Sequence, residues 1–155
     1  MFKRISILTL LVFLQAGQAL ADNLVIVMAV DSTTDGVTAA DLAKTFRGEK
    51  SRTADGKKFV IVMREPGSGE RAAALSQIYN MSEPEYKTYF LQATFTGTVT
   101  SAPKNQSSAD SMKAFIAKTP GAIGYVWAKD VDASVKVIKI DGKGPGDADY
   151  KLNGK

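Results

Sequence analysis

The sequence predicts an α/β protein with a mixed central sheet and helices on both faces of that sheet. Apolar runs rich in β-branched residues alternate along the chain with segments of helical periodicity. This alternation favours a sheet covered by helices. The length of 155 residues suits one domain, and 45% hydrophobic with 23% charged residues is typical of a folded globular protein.

The apolar runs define four predicted strands, at residues 24–30, 59–63, 122–126 and 135–140. Preferred N-cap residues precede each predicted helix. The helices are expected at 39–46, from 69 to about 80, from 82 through the aromatic stretch that follows, and from 107 or 108 to 119. The polar segments 31–36 and 95–106 are predicted loops. Residues 141–155, rich in Gly, Asp and Lys, are predicted to be a flexible C-terminal tail.

Residues 1–21 have the layout of a signal peptide. Lys3 and Arg4 precede an apolar run, and Ala19 and Ala21 form a small-x-small cleavage signal. The mature chain is therefore expected to start at Asp22, with a folded domain over residues 22–140. The apolar run is too short to span a membrane, and no Cys exists to carry a lipid. We expect a periplasmic protein without a stable membrane anchor after the signal is removed.

The composition excludes several chemistries. With no Cys and no His, the chain can form no disulfide, no Cys or His metal site and no Ser–His–Asp triad. Removal of Lys3 and Arg4 leaves 18 basic against 16 acidic side chains, so nucleic-acid binding is not indicated. We expect neither an enzyme nor a bound cofactor or metal.

The residues at 64–71 predict a strand, a glycine-rich turn and a helix. Ser68 is a preferred N-cap, and the first N–H groups of a helix favour an anion. Arg64 ends the strand on the same side and can offer several donors to a phosphate or carboxylate. The predicted oxyanion site consists of Arg64, Ser68 and the backbone N–H groups of Gly69 and Glu70. The alternative is an ordinary N-cap beside a surface arginine.

Other polar residues extend this prediction. Ser32, Thr33 and Arg71 are predicted accessory ligands. Six basic residues also lie close together between positions 44 and 58. A solvated loop that ends in an Asp55-Gly56 turn explains them; the alternative is that they attract anionic partners.

Three stretches of the chain match motifs of one family. Residues 64–69 read Arg-Glu-Pro-Gly-Ser-Gly, and residues 120–126 read Pro-Gly-Ala-Ile-Gly-Tyr-Val. The third stretch joins the run 24–30 to Leu42, Phe46 and Gly48. Together, and in this order, they resemble the periplasmic phosphate-binding proteins of ABC importers, which have the type II substrate-binding fold. The resemblance covers most of residues 24–140.

The resemblance implies roles for individual residues. Arg64, Ser68 and Gly69 match positions that hold phosphate in that family. Glu70 stands where the family has Thr, and its carboxylate would repel a bound anion unless it points away or accepts a proton from a protonated phosphate. Arg71 would then compensate in part. The full family members have two lobes, and the mature chain of about 134 residues looks like a short, single-lobe member that carries this motif.

The resemblance therefore implies a binding domain for phosphate or a related oxyanion, associated with phosphate ABC transport or sensing. The implied partners are the anion and a membrane component of an ABC transporter or another envelope protein. The alternative is a periplasmic interaction or accessory protein that keeps the fold without tight ligand binding. The identity of the anion, and whether dimerisation or a partner supplies a second lobe, stay open. An enzyme is disfavoured because the Gly-x-Ser-x-Gly nucleophile pattern fails at Pro66 and Glu70.

Overall fold

The computed structural model describes residues 23–154. The signal peptide predicted at residues 1–21, with its cleavage before Asp22, lies outside the described residues and stays a prediction. Six strands form one sheet: β1 (Leu24–Ala29), β2 (Gly36–Val37), β3 (Val60–Arg64), β4 (Lys104–Gln106), β5 (Ala122–Trp127) and β6 (Val135–Ile140). The α-helices are α1 (Ala39–Phe46), α2 (Gly69–Ala74), α3 (Glu83–Phe95) and α4 (Ala109–Lys118). A π-helical turn, Leu75–Tyr79, extends α2, and a 3₁₀ turn, Ala128–Asp130, follows β5.

The strand order in the sheet is β2-β6-β1-β5-β3-β4. β1 runs antiparallel to β5 and β6, whereas β3 runs parallel to β5 and β4. The predicted mixed sheet is confirmed, and all four predicted strands belong to it. β4 lies in the loop predicted at 95–106, and β2 begins at Gly36, the last residue of the loop predicted at 31–36, so both predictions are wrong locally. Both are short edge strands, and β4 consists of Lys, Asn and Gln, so neither shows a hydrophobic pattern.

Helices cover both faces of the sheet, as predicted. Successive side chains of β1 point to opposite faces, because a strand alternates with a period of two. Ile26 and Met28 join a large core with side chains of α1, α2 and α3. Val25 and Val27 join a second core that contains Met112 and other residues of α4. β1 is buried on both faces, which explains its unbroken apolar sequence.

α4 lies close to the sheet at Gly124 in β5. A Cβ atom at this position would stand 2.6 Å from the sulfur of Met112 and 2.9 Å from Cδ1 of Ile116. Both distances are shorter than real Cβ contacts, so a larger residue here would push the ends of the Met112 and Ile116 side chains aside.

The C-terminal segment packs against β1. The Tyr150 hydroxyl donates to the Leu24 carbonyl at 2.9 Å, and the Leu24 N–H donates to the Leu152 carbonyl at 2.9 Å. Tyr150 and Leu152 are buried. The tail predicted as flexible is therefore packed against the domain over the described residues. Burial of these two side chains and the hydrogen bonds of both residues to β1 hold it in place despite its polar composition. No helix within residues 23–154 is long and apolar enough to cross a membrane.

Candidate functional site

The predicted strand, turn and helix are confirmed at the carboxyl end of β3. The strand ends at Arg64, and α2 begins at Gly69. Gly67 adopts a φ of 94°, a conformation that favours glycine. Ser68 caps the helix: its hydroxyl accepts the Arg71 N–H at 3.2 Å and donates to the Glu65 carbonyl at 3.1 Å. The Ser68 hydroxyl must therefore release Glu65 before it can donate to a bound anion.

The guanidinium of Arg64 is buried and has free donors. Only 12% of its side-chain surface is exposed. Nε and Nη1 have no hydrogen-bond partner among the described residues. Buried polar groups in folded proteins are almost always paired, and an unpaired donor costs free energy. Two orphaned N–H-bearing atoms on one buried guanidinium therefore point to a missing acceptor, and an oxyanion would supply it.

Glu70 faces Arg64 rather than pointing away. Its Oε1 lies 3.8 Å from Arg64 Nε, a distance that gives attraction without a hydrogen bond. The Glu70 side chain is buried, so its charge is poorly screened and competes with any anion that approaches Arg64. Among residues 23–154, no cluster of acidic side chains is arranged to hold a metal ion.

The start of α2 is bordered by Trp127. A Cβ atom placed at Gly69 would stand 3.4 Å from Cζ2 of the Trp127 ring, so the indole lies against this turn. The N–H groups of Gly69 and Glu70 are the first of the helix and have no acceptor within it. Residue patterns alone did not indicate that Trp127 lies beside this turn, because it is at the end of a different strand, β5.

The Arg71 guanidinium makes structural contacts beside the site. Its Nε donates to Glu83 Oε2 at 2.9 Å, and its Nη2 donates to Glu83 Oε1 at 2.7 Å. Its Nη1 donates to the Arg64 carbonyl at 2.9 Å, and its Cζ lies 4.7 Å from the centre of the Tyr86 ring. Each guanidinium nitrogen of Arg71 therefore already donates to a protein group, which uses three of its five N–H donors and disfavours its predicted role as an accessory ligand.

Tyr125 holds the other side of the Arg64 backbone. Its hydroxyl accepts the Arg64 N–H at 3.0 Å. Burial raises the pKa of Tyr125, with the nearby arginines opposing the shift, so the phenol is neutral at physiological pH. Tyr125 thus holds the Arg64 N–H, and Arg71 holds the Arg64 carbonyl. Residue patterns alone did not identify either contact, although Tyr125 lies in one of the three family-like stretches.

Ser32 and Thr33 lie beyond the opposite end of the strands from Arg64. β1 is antiparallel to β5, and β3 is parallel to β5. The carboxyl ends of β1 and β3 therefore point in opposite directions. Ser32 borders a small cavity with Pro120 and Gly121, just before β5, and a six-residue strand spans about 20 Å. The prediction that Ser32 and Thr33 assist the Arg64 site is wrong.

Known proteins resemble this chain in sequence and in fold. No family model matches it. It is 37% identical over 84 residues to phosphate-binding protein PstS 2 of Streptococcus agalactiae, covering 54% of this chain and 26% of the relative. PstS from Borrelia burgdorferi superposes with a TM-score of 0.66 at 14% identity, covering 84% of this chain and 54% of that structure. The chain has the fold of phosphate-transport receptors.

A second solved structure supports the same fold. A putative phosphate ABC transporter substrate-binding protein from Clostridium perfringens, solved with bound phosphate, gives a TM-score of 0.65 at 20% identity, covering 79% of this chain and 46% of that structure. The resemblance that the three motifs indicated is confirmed. The chain spans about a quarter of the length of the curated relative and about half the length of the two structures. These relatives are named for binding and transport rather than for catalysis.

Proposed function

We propose that this chain is an exported binding domain that holds phosphate or a related oxyanion beside Arg64, in association with phosphate ABC transport or sensing. The observation that supports this most is the buried Arg64 guanidinium, whose Nε and Nη1 have no partner among the described residues. The relatives named for phosphate binding add a second, independent reason. The proposal places the domain in the periplasm, with an ABC transporter membrane component or another envelope protein as partner.

The geometry favours binding through donors from two elements. Arg64 offers Nε and Nη1 from the end of β3, and the N–H groups of Gly69 and Glu70 offer donors from the start of α2. Ser68 contributes its hydroxyl once it releases the Glu65 carbonyl. Tyr125 and Arg71 hold the Arg64 backbone, so the guanidinium needs little ordering when the anion arrives.

Glu70 gives this site a preference among anions. Its carboxylate repels an anion at Arg64, but a protonated phosphate can donate its hydrogen to that carboxylate. Sulfate has no proton to donate at neutral pH. We therefore expect the site to bind phosphate more tightly than sulfate.

The test is titration calorimetry with phosphate on anion-stripped protein, for the wild type and Arg64→Ala. Charge-assisted hydrogen bonds contribute about 1.5–3 kcal/mol each, so Arg64→Ala is expected to weaken binding by about tenfold or more. Lys151→Ala is the matched control, because it removes one exposed positive charge far from the site in sequence. Thermal unfolding verifies that each variant folds. Equal phosphate affinity of Arg64→Ala and wild type would place the site elsewhere.

A second candidate function is an interaction protein that keeps the fold without tight ligand binding. The Glu70 carboxylate already stands beside Arg64, as an internal counter-charge would. Leu91 and Phe95, one turn apart on α3, are 73% and 92% exposed, which suits a surface that contacts a partner. If neither the wild type nor Glu70→Thr binds phosphate at millimolar concentration, this candidate replaces the first.

A further inference from the structure

A groove of about 430 Å³ lies at the amino end of β3, away from Arg64. One wall is part of the basic loop that follows α1, and the other is the segment that leads into β4. Val60 and Ile61 of β3 also line the groove. Pairing between β3 and β4 begins only at Val62 and Lys104. The first two residues of β3 therefore have no strand partner on the groove side.

The charged residues that line this groove are all basic. The lining contains four cationic side chains and no acidic one: Lys50, Arg52, Lys58 and Lys104. The charges of the mature chain are nearly balanced, so this concentration is local. A groove lined by one sign of charge raises the local concentration of oppositely charged ligands.

Two of these cations have partners, and two are available. Lys50 pairs with Asp41 at 3.0 Å, and Arg52 donates to the Gly56 carbonyl at 2.7 Å. Lys58 and Lys104 are exposed, and neither takes part in an ion pair with another described residue. Both are therefore free to bind an anion without first giving up an internal contact.

The spacing of the two available lysines favours an extended ligand. Lys104 lies opposite Val62 in the parallel pair, and Lys58 comes four residues before Val62. β3 begins at Val60, and at about 3.3 Å per extended residue the two backbones are separated by up to about 13 Å along the chain. Hydroxyl groups of Ser51, Thr100 and Ser101 also line the groove. Lysines and hydroxyls are common donors to phosphate oxygens, and one phosphate ion is too small to use both ends of the groove.

We propose that this groove binds a linear oligophosphate, an anion of two or more linked phosphate groups. The inference does not depend on the function proposed for the Arg64 site, because the two sites lie at opposite ends of β3. The cations at the ends hold the terminal phosphate groups, and the hydroxyls between them donate to the remaining oxygens.

The test is calorimetry with inorganic tripolyphosphate on the full protein. The double variant Lys58→Gln/Lys104→Gln is expected to bind about tenfold more weakly or worse. The control Lys139→Gln/Lys151→Gln removes the same charge from exposed positions outside the groove and is expected to keep most of the affinity. Arg64→Ala, which removes the other proposed anion site, is expected to retain tripolyphosphate binding that depends on Lys58 and Lys104.

Four results would overturn the inference. Tripolyphosphate could fail to bind the wild type at millimolar concentration. The two double variants could lose affinity equally, which would mean that net charge alone attracts the ligand. Arg64→Ala could abolish binding, which would assign the anion to the other site. A hexaglutamate peptide could bind more tightly than tripolyphosphate, which would assign the groove to an acidic polypeptide instead.

Discussion

Replacing Glu70 by Thr is expected to strengthen phosphate binding. The change removes a buried negative charge that lies 3.8 Å from Arg64 Nε, and it introduces the residue found at this position in the family that the chain resembles. An anion bound by Arg64 must approach the same guanidinium and therefore comes close to the Glu70 carboxylate. The substitution removes the repulsion between Glu70 and the anion. It also removes the attraction between Glu70 and Arg64, which competes with the anion.

The size of the effect follows from Coulomb's law. Two unit charges about 4 Å apart interact by about 4 kcal/mol at an effective dielectric constant of about 20. Rotation of the Glu70 side chain away from the anion, or a hydrogen bond that a protonated phosphate donates to its carboxylate, recovers part of this energy. A net gain of about 1.4–2.8 kcal/mol corresponds to about ten- to a hundredfold tighter binding.

The assay is phosphate titration at one salt concentration for wild type, Glu70→Thr and Glu70→Gln. Glu70→Gln removes the charge without adding the hydroxyl, so it separates the two contributions. Glu65→Gln is the matched control, because it removes a charge from an exposed position of the same turn, where solvent screening is strong. Unchanged affinity in both Glu70 variants, or an equal gain in Glu65→Gln, would refute the assignment of Glu70 as the competing charge.

Three further predictions concern the helix cap at Ser68, the ion pair between Arg71 and Glu83, and the removal of the signal peptide. Ser68→Ala is expected to lower the free energy of unfolding by about 1 kcal/mol through loss of the cap and to weaken phosphate binding; urea denaturation that shows no loss would contradict the first part. Hydrogen bonds from Arg71 hold the pKa of Glu83 below its ordinary value of 4.5, so the pair stabilises the fold above about pH 4.5 and ceases to do so as acid protonates Glu83. Glu83→Gln is therefore expected to cost about 1–2 kcal/mol at neutral pH and progressively less as the pH falls below 4.5, and a cost that does not change with pH would exclude this linkage. The protein purified from the cell envelope is expected to begin at Asp22; mass spectrometry that finds intact Met1 there would argue against export.

The elements that the sequence predicted well are those with strong local patterns. β1 is a continuous apolar run because both of its faces are buried. The sequence signals of α1 lie within one short stretch: an N-cap residue, an apolar face and a glycine after the last turn. Thr38 accepts the Asp41 N–H, and Gly48 follows the helix with a φ of 78°. β4 shows no such pattern, because an edge strand of polar residues depends on its neighbour for pairing.

The composition of the candidate site was harder to predict, since it depends on strand direction and side-chain orientation. Arg64 and Arg71 both surround the turn in sequence, but only the fold shows that Arg71 contacts Glu83 across the chain reversal that follows α2. Ser32 follows a strand just as Arg64 does. Its strand runs the other way, and no residue near Ser32 indicates that direction.

The hydrogen bonds around β1 also join the two ends of the described chain. The Gly154 N–H donates to Asn23 Oδ1 at 3.2 Å, so the first and last described residues are neighbours. A circular permutant that links these ends and opens the chain in the exposed turn around Gly56 would keep every strand of the sheet intact. By the same geometry, the domain can be inserted into a surface loop of another protein, because its two adjacent ends would join the two sides of that loop without separating them.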